Sequence, residues 1–586
     1  MDLFNILALL GGLALFLYGM DVMGNGLKKL AGGKLEMILS KLTSNRFKGF
    51  LLGFIVTAVI QSSSATTVML VGFVNSGIMK LGQTISIIMG ANIGTTVTAW
   101  LLSLSEISGD AFWVIKLFKP TSFTPVLALV GIIMMMTAKN DRKKDIGSIF
   151  IGFAVLMFGM DAMSGAMDGL KDSQGFQNML IMFKNPVMGI FVGTLLTAVI
   201  QSSSASVGIL QALALSVGIP YSTAIPIILG QNIGTTITPI LSAISGNTAA
   251  KRVAASCLYI KMIGVVVFSL GFYGLDAVFN FAFMEANVGP LQIAFFHTMF
   301  NIVSTIILMP FCKGIEKLAV KTIREKKQEQ KYDDTFATLD ERFLDIPAFA
   351  VEKCRELVCN MALLTKNSLI DATYLMEDYN TDKIKKIYDT EDEIDKYEDK
   401  ISTYLVKLAG QSMSMKDSRL VTELLHCIGD IERIADHAVN ISQVAKELHD
   451  KGIHFSEEAE HDVKIISEAV REVMTLATDA LVGDDLVLAK KVEPLEQVID
   501  KLKFKIKKNH IERLKEGNCT MEMGFPLSDL LVNYERVSDH CSNIAVCLLE
   551  IANDSFETHE YLSNVKANGE NDFFEQYEEY KSKYSL

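Results

Sequence analysis

The sequence predicts an all-α chain in two parts: a polytopic membrane protein with inverted repeats and re-entrant hairpins, then a cytoplasmic helical-bundle domain of two three-helix units. Three observations lead there. Charge is partitioned along the 586 residues: positions 1–312 hold 18 Lys/Arg against 12 Asp/Glu, a net of +6, and the remainder holds 37 against 55, a net of −18. Half of all residues are hydrophobic and mean hydropathy is +0.30, higher than soluble chains usually reach. Finally, each part repeats internally, at an offset of 140 in the first and about 103 in the second. The expected division is repeat 1 over 1–140, repeat 2 with a final helix over 141–312, a basic connector over 313–340, the helical domain over 341–555 and an acidic tail over 556–586.

The apolar segment Leu3–Met23 lacks a basic start and a small-residue cleavage site, so it reads as a first membrane helix rather than a signal peptide, with the cell inner membrane as the expected location. All eight cysteines lie at or after Cys257 without paired spacing. That argues against a disulfide framework or a Cys-rich zinc site and suits a reducing cytosol. Further apolar stretches fall near 49–60, 65–78, 84–104, 113–137, 146–163, 186–200, 205–218, 223–244, 253–275 and 290–311. A spanning helix needs about 20 apolar residues. The pairs 49–60/65–78 and 186–200/205–218 are each too short and are broken by Gln-Ser-Ser-Ser, which predicts hairpins that enter and leave on one side.

Three separated blocks share the 140-residue register. TAVIQSSSA at 57–65 recurs at 197–205, GANIGTTVT at 90–98 returns as GQNIGTTIT at 230–238, and Gly19–Asp21 matches Gly159–Asp161. Equivalent loops differ in charge. Loop 24–48 carries Lys28, Lys29, Lys34, Lys41, Arg46 and Lys48, while 164–188 carries only Lys171 and Lys184; loop 105–112 carries Glu106 and Asp110, while 245–252 carries Lys251 and Arg252. Basic loops stay in the cytosol, so the two units have opposite orientation and the second part is cytoplasmic.

In such an arrangement the two Gln-Ser-Ser-Ser tips approach one midplane region, each starting a half-helix whose unpaired N–H groups and positive dipole end face inward. Serine hydroxyls at Ser62, Ser63, Ser64, Ser202, Ser203 and Ser204, with Gln61 and Gln201, complete a cradle for a small anion. No Lys or Arg occurs within 49–79 or 185–250, so a multiply charged anion needs mobile cations to travel with it. Asn92, Thr95, Thr96, Asn232, Thr235 and Thr236 offer oxygens for a cation such as sodium. The plain alternative is that Ser, Thr and Gly only pack helices; two identical motifs between short helices favour the site. Asp21 and Asp161 read as sodium-path ligands or as capping or interface residues; Lys261, His297 and Asn301 stand alone, with His297 suiting a packed or interfacial place better than a proton relay.

Residues 313–331 form a basic amphipathic connector, suited to anionic lipid or simply to solvent. Beyond it, Glu432…Asp436-His437 with Asn440 is echoed by Glu535…Asp539-His540 with Asn543, and Glu391…Asp395 by Glu496…Asp500. Each i, i+4 pair puts two carboxylates on one helix face. Facing helices then converge four carboxylates on a hard divalent or iron-type metal, with the alternative that such pairs are merely solvated. His437 and His540 suit supporting or surface roles better than ligation. The tyrosine-rich tail reads as poorly ordered or as a short helix.

The doubled QSSS and N-I-G-T-T motifs of 1–312 resemble the type II sodium/phosphate cotransporter family. The resemblance implies that Gln61–Ser64 and Gln201–Ser204 line a path for inorganic phosphate and sodium ions; Ala91 departs from the family at a position tied to electrogenicity. The acidic repeats of 341–555 resemble the PhoU family of metal-binding paired three-helix bundles linked to phosphate control. Together they imply alternating-access symport in the lipid bilayer with a regulatory domain; the expected partners are inorganic phosphate, the bilayer and a second copy in a homo-oligomer, and no nucleic acid. A phosphate-sensing receptor with a vestigial transporter is the alternative. An enzyme ranks last, since no P-loop, HExxH or nucleophile elbow is present.

Overall fold

Two glycine-bearing helices cross at the centre of the membrane part. In the computed structural model, which describes residues 3–31, 45–106, 120–167, 174–324, 334–411, 413–552 and 571–586, α1 (Leu3–Ala31) packs along α7 (Asp141–Met167). A Cβ on Gly12 would meet Gly159 O and one on Gly19 would meet Gly152 O, and the converse holds for Gly152 and Gly159. Rising numbers on α1 meet falling numbers on α7, so the helices are antiparallel. They are also each other's equivalents at the offset of 140. Equivalent helices that cross antiparallel are related by a two-fold lying in the membrane plane, which is the inverted-topology arrangement. Lys34, Lys41, Asp110 and Lys171, part of the charge argument for orientation, lie outside the described residues.

The hairpins form as their sequence predicts. In repeat 1, α2 (Arg46–Ile60) turns at Gln61 into α3 (Ser63–Asn75), then α4 (Leu81–Gly94) breaks at Thr95 into α5 (Thr96–Ser103); α6 (Pro120–Thr137) leads to α7. Repeat 2 follows suit after α8 (Gln174–Phe183), with α9 (Pro186–Ile200), α10 (Ser203–Val217), α11 (Tyr221–Gly234) and α12 (Ile237–Ala243). Then come α13 (Thr248–Phe279), α14 (Pro290–Leu308) and α15 (Cys312–Thr322), with a short antiparallel pairing of Ile219–Pro220 on Asn287–Val288. Among the described residues six helical stretches are long and apolar enough to cross a membrane, and α3, α9 and α10 are shorter apolar helices.

The repeats interlock. α3 packs on α12 and α13, while α10 packs on α5 and α7, so each half-helix meets the other repeat. Residues 334–349 belong to this same compact unit. There Phe343, fully buried, lies between Phe73 and Phe349, and Asp340 accepts from Asn75 Nδ2 at 2.7 Å and from Arg342 Nη1 at 2.6 Å. Asn75 also binds Asn247 of repeat 2, and Arg342 Nε donates to Ser242 O at 3.1 Å.

The second compact unit, Ala350–Leu586, contains two three-helix groups. The first is α16 (Pro347–Tyr374), α17 (Thr381–Ala409) and α18 (Met415–Lys451). The second is α19 (Glu457–Gly483), then after the short α20 (Leu486–Ala489), α21 (Val492–Lys515) and α22 (Met521–Ala552). The equivalent helices α18 and α22 pack on each other at the centre. The tail, expected as poorly ordered or a short helix, contributes α23 (Asn571–Lys583), whose Tyr577 hydroxyl takes a hydrogen bond from Lys501 on α21 at 2.5 Å.

Candidate functional site

Each Gln-Ser-Ser-Ser motif folds alike. Gln61 and Gln201 end their helices with φ at 59° in both cases, a left-handed conformation uncommon for a side-chain-bearing residue. Ser62 and Ser202 then cap the half-helices, accepting from Ala65 N at 3.1 Å and Ala205 N at 3.2 Å. A hydroxyl pair ties each tip across its turn: Thr57 to Thr66 at 3.0 Å and Thr197 to Ser206 at 2.8 Å. These residues too are 140 apart. The first turns of α3 and α10 thus present backbone N–H groups, and the hydroxyls of Ser63, Ser64, Ser203 and Ser204 make no hydrogen bond among the described residues. That is an arrangement able to receive an oxyanion.

The symmetry is broken at the glutamines. Gln61 is buried, accepts from Thr98 Oγ1 at 2.8 Å and donates to Ala58 O. Gln201 is exposed, and Thr238, the equivalent of Thr98, has a buried hydroxyl without a partner among the described residues. One tip is closed over and the other open.

The N-I-G-T-T segments place their helix breaks beside the tips; Gln231 Nε2 donates to Ser206 O at 2.9 Å. Thr95 and Thr96 hydroxyls donate to Ala91 O and Ile93 O, and Thr235 and Thr236 to Asn232 O and Ile233 O, which leaves each hydroxyl's lone pairs for a cation. Asn92 is buried. Asn232 differs from expectation: its Oδ1 accepts from Lys261 Nζ at 2.9 Å. Lys261 therefore does not stand alone, and a fixed cation does reach the region, brought by α13 from outside the Lys-free windows. A helix distant in sequence folds back across the site and brings its charge with it. Gln211, which the sequence does not single out, ties α10 to Ala99 O and Pro290 O at 3.1 and 2.9 Å.

In the second unit the carboxylates gather as two sets. Glu391, Asp395, Glu432 and Asp436 interact across α17 and α18: burial, then repulsion from Asp395 and Asp436, raises Glu391, while burial and Asp436 raise Glu432. Burial and Asp395 raise Asp436. In the other set burial and then Glu535 raise Asp539, with Asp500 adding to it. There Lys503, absent from the expected site, contacts Glu535 with its ammonium. The position 105 residues earlier is Glu398, so the two sets differ by a reversed charge. No three His, Cys, Asp or Glu side chains among the described residues stand at ligand spacing. The first set is all oxygen and mutually repulsive, tempered by Arg433, which is the donor chemistry a hard cation prefers, whereas the second has Lys503 directly on Glu535. His437 and His540 turn to each other, rings 5.7 Å apart, with His437 Nδ1 on Asn533 Oδ1 and His540 Nδ1 on Asp430 Oδ1, both at 2.8 Å. Residues 430 and 533 are themselves equivalents, so this crossed pair marks the axis between the two groups.

Paired broken hairpins about an in-plane two-fold, next to broken helices, define a membrane carrier joined to a helical domain. The chain belongs to the Na+/Pi-cotransporter family, whose model matches residues 15–165 and 167–291, and it carries a PhoU domain matching 358–445 and 463–548. It is 22% identical over 564 residues to the "Putative inorganic phosphate export protein YjbB" of Salmonella typhimurium, covering 95% of this chain and 100% of that one. The uncharacterized protein YqeW of Bacillus subtilis is 30% identical over 298 residues, covering 50% of this chain and 91% of YqeW. The sodium-dependent phosphate transport protein 2A of Rattus norvegicus is 39% identical over 111 residues, 18% of this chain and 17% of that protein.

Proposed function

We propose that this membrane protein is a sodium-coupled secondary transporter of inorganic phosphate that works by alternating access, with its PhoU domain in the cytosol, binding metal and regulating flux. The observation that carries this reading is the duplicated tip: two helix N-termini, each preceded by a left-handed glutamine and lined by free serine hydroxyls, packed against the opposite repeat. Phosphate suits such tips because its oxygens accept many hydrogen bonds while its charge meets two positive dipole ends. Sodium suits the hydroxyls and carbonyls of the helix breaks, and its charge offsets the anion's.

The inequality of Gln61 and Gln201 fits a carrier caught with one repeat closed and the other open; exchanging the two conformations exposes the site to the other side. Sodium that raises phosphate affinity must have its own affinity raised by phosphate, by the same factor. Net direction follows the two gradients, so high internal phosphate drives the cycle outward, in keeping with export in the Salmonella relative's name. The metal would be held by Glu391, Asp395, Glu432 and Asp436, where it neutralises four crowded carboxylates. The test is radiolabelled phosphate flux in proteoliposomes under imposed sodium or potassium gradients. Flux driven by sodium alone is expected; equal flux under both would refute the coupling.

A further inference from the structure

Lys261 lies midway along α13, the helix that packs on α3 and α4 of the first repeat and on α11 of the second. Helical register puts it on the buried face with Cys257, Ile260, Gly264 and Val265, and its side chain is only 9% exposed. A buried ammonium in an apolar bundle is costly unless something compensates it. Asn232 does so in part, accepting its hydrogen bond at 2.9 Å while donating to Ile228 O at 3.0 Å. Among the described residues no carboxylate pairs with Lys261. The titratable groups that bear on it are Cys257 on its own helix and His297 on α14, whose Nδ1 has no hydrogen-bond partner among the described residues. An amide, a thiol and an imidazole offer a protonated Lys261 no counter-anion among the described residues, and that is the place a bound anion would take.

Among the described residues no cationic side chain bonds the equivalent amide, Asn92, which is buried. One N-I-G-T-T segment thus has its amide oxygen free for a metal cation, and the other has it occupied by an ammonium. We propose that Lys261 is a tethered counter-cation of the transport site, standing at Asn232 where a sodium ion would otherwise bind and offsetting one negative charge of the bound anion. This rests on the transport reading above. It makes the carrier need one sodium ion fewer per anion than a symmetric pair of sites would, and the tethered charge returns with the empty carrier, so it adds nothing to the charge moved per cycle.

The test counts radioactive sodium bound per chain to purified full-length protein in the presence of inorganic phosphate, for wild type, Lys261→Gln and Lys261→Arg. One more sodium ion on Lys261→Gln than on wild type, with Lys261→Arg unchanged, is expected; equal counts for Lys261→Gln and wild type overturn the proposal. If Lys261→Gln does not fold, Asn232→Asp decides. Pairing the ammonium with a carboxylate should weaken phosphate binding at least tenfold, and unchanged phosphate affinity overturns the proposal. Wild-type flux that ignores sodium would refute the transport coupling, yet the sodium count would still decide the place of Lys261.

Discussion

Thr98 donates its hydroxyl to the Gln61 side chain at 2.8 Å, joining the broken helix of the first repeat to the tip of its own hairpin, while Thr238 and Gln201 make no such bond. A neutral hydrogen bond of this kind contributes about 1 kcal/mol, roughly fivefold in an equilibrium. Thr98→Val should therefore lower the initial rate of phosphate flux severalfold by loosening the closed tip. Thr238→Val should change it little, so comparing initial rates of the two variants checks the asymmetry.

The α1–α7 crossing depends on glycine. A Cβ on Gly19 would lie 2.2 Å from Leu156 N, far inside any tolerable contact, and the neighbour is backbone that cannot rotate away. Overpacking of this kind costs about 1–3 kcal/mol or more. Gly19→Ala should lower the melting temperature of the purified protein, as should Gly159→Ala, whose Cβ would meet Phe16 N at 2.3 Å. Gly11→Ala, with open space around it, is the control expected to melt like wild type.

Much of this was legible in the residues. The 140-residue register revealed both hairpins and the helix breaks, because duplicated motifs keep their turn chemistry. The crossing of Gly12 and Gly19 with Gly152 and Gly159 was equally periodic, yet only the structure shows which faces meet. Lys261 and Lys503 were not legible as site residues. Each reaches its partner across a helix–helix contact, which a window along the chain does not sample. Lys503 did leave a trace, a lysine where the repeat has Glu398.

That charge reversal predicts unequal metal binding. Asp436→Asn removes a proposed ligand from the set without Lys503 and should weaken binding of a divalent metal at least tenfold, while Asp539→Asn should leave it nearly unchanged. Lys503→Gln removes the built-in cation and should create a second, weaker binding event. Titration calorimetry of the metal-stripped protein measures all three.

Glu423, buried on α18, has its carboxyl pushed up to about 7 by burial and by Asp484. Since the folded value exceeds the unfolded one, the folded domain holds this proton more tightly, and stability falls as pH rises between about 4.5 and 7. The loss amounts to roughly 3 kcal/mol. Glu423→Gln should flatten this part of the dependence and raise the domain's thermal transition at pH above 7, as followed by circular dichroism.

The central claim concerns the paired tips, and one comparison tests it most directly: sodium-driven phosphate flux in proteoliposomes for wild type and for Ser63→Ala combined with Ser203→Ala. The account predicts flux that requires sodium in the wild type and falls at least tenfold in the double variant, with its circular dichroism spectrum and melting temperature kept. Undiminished flux in the double variant would contradict it, placing the phosphate path elsewhere in the molecule.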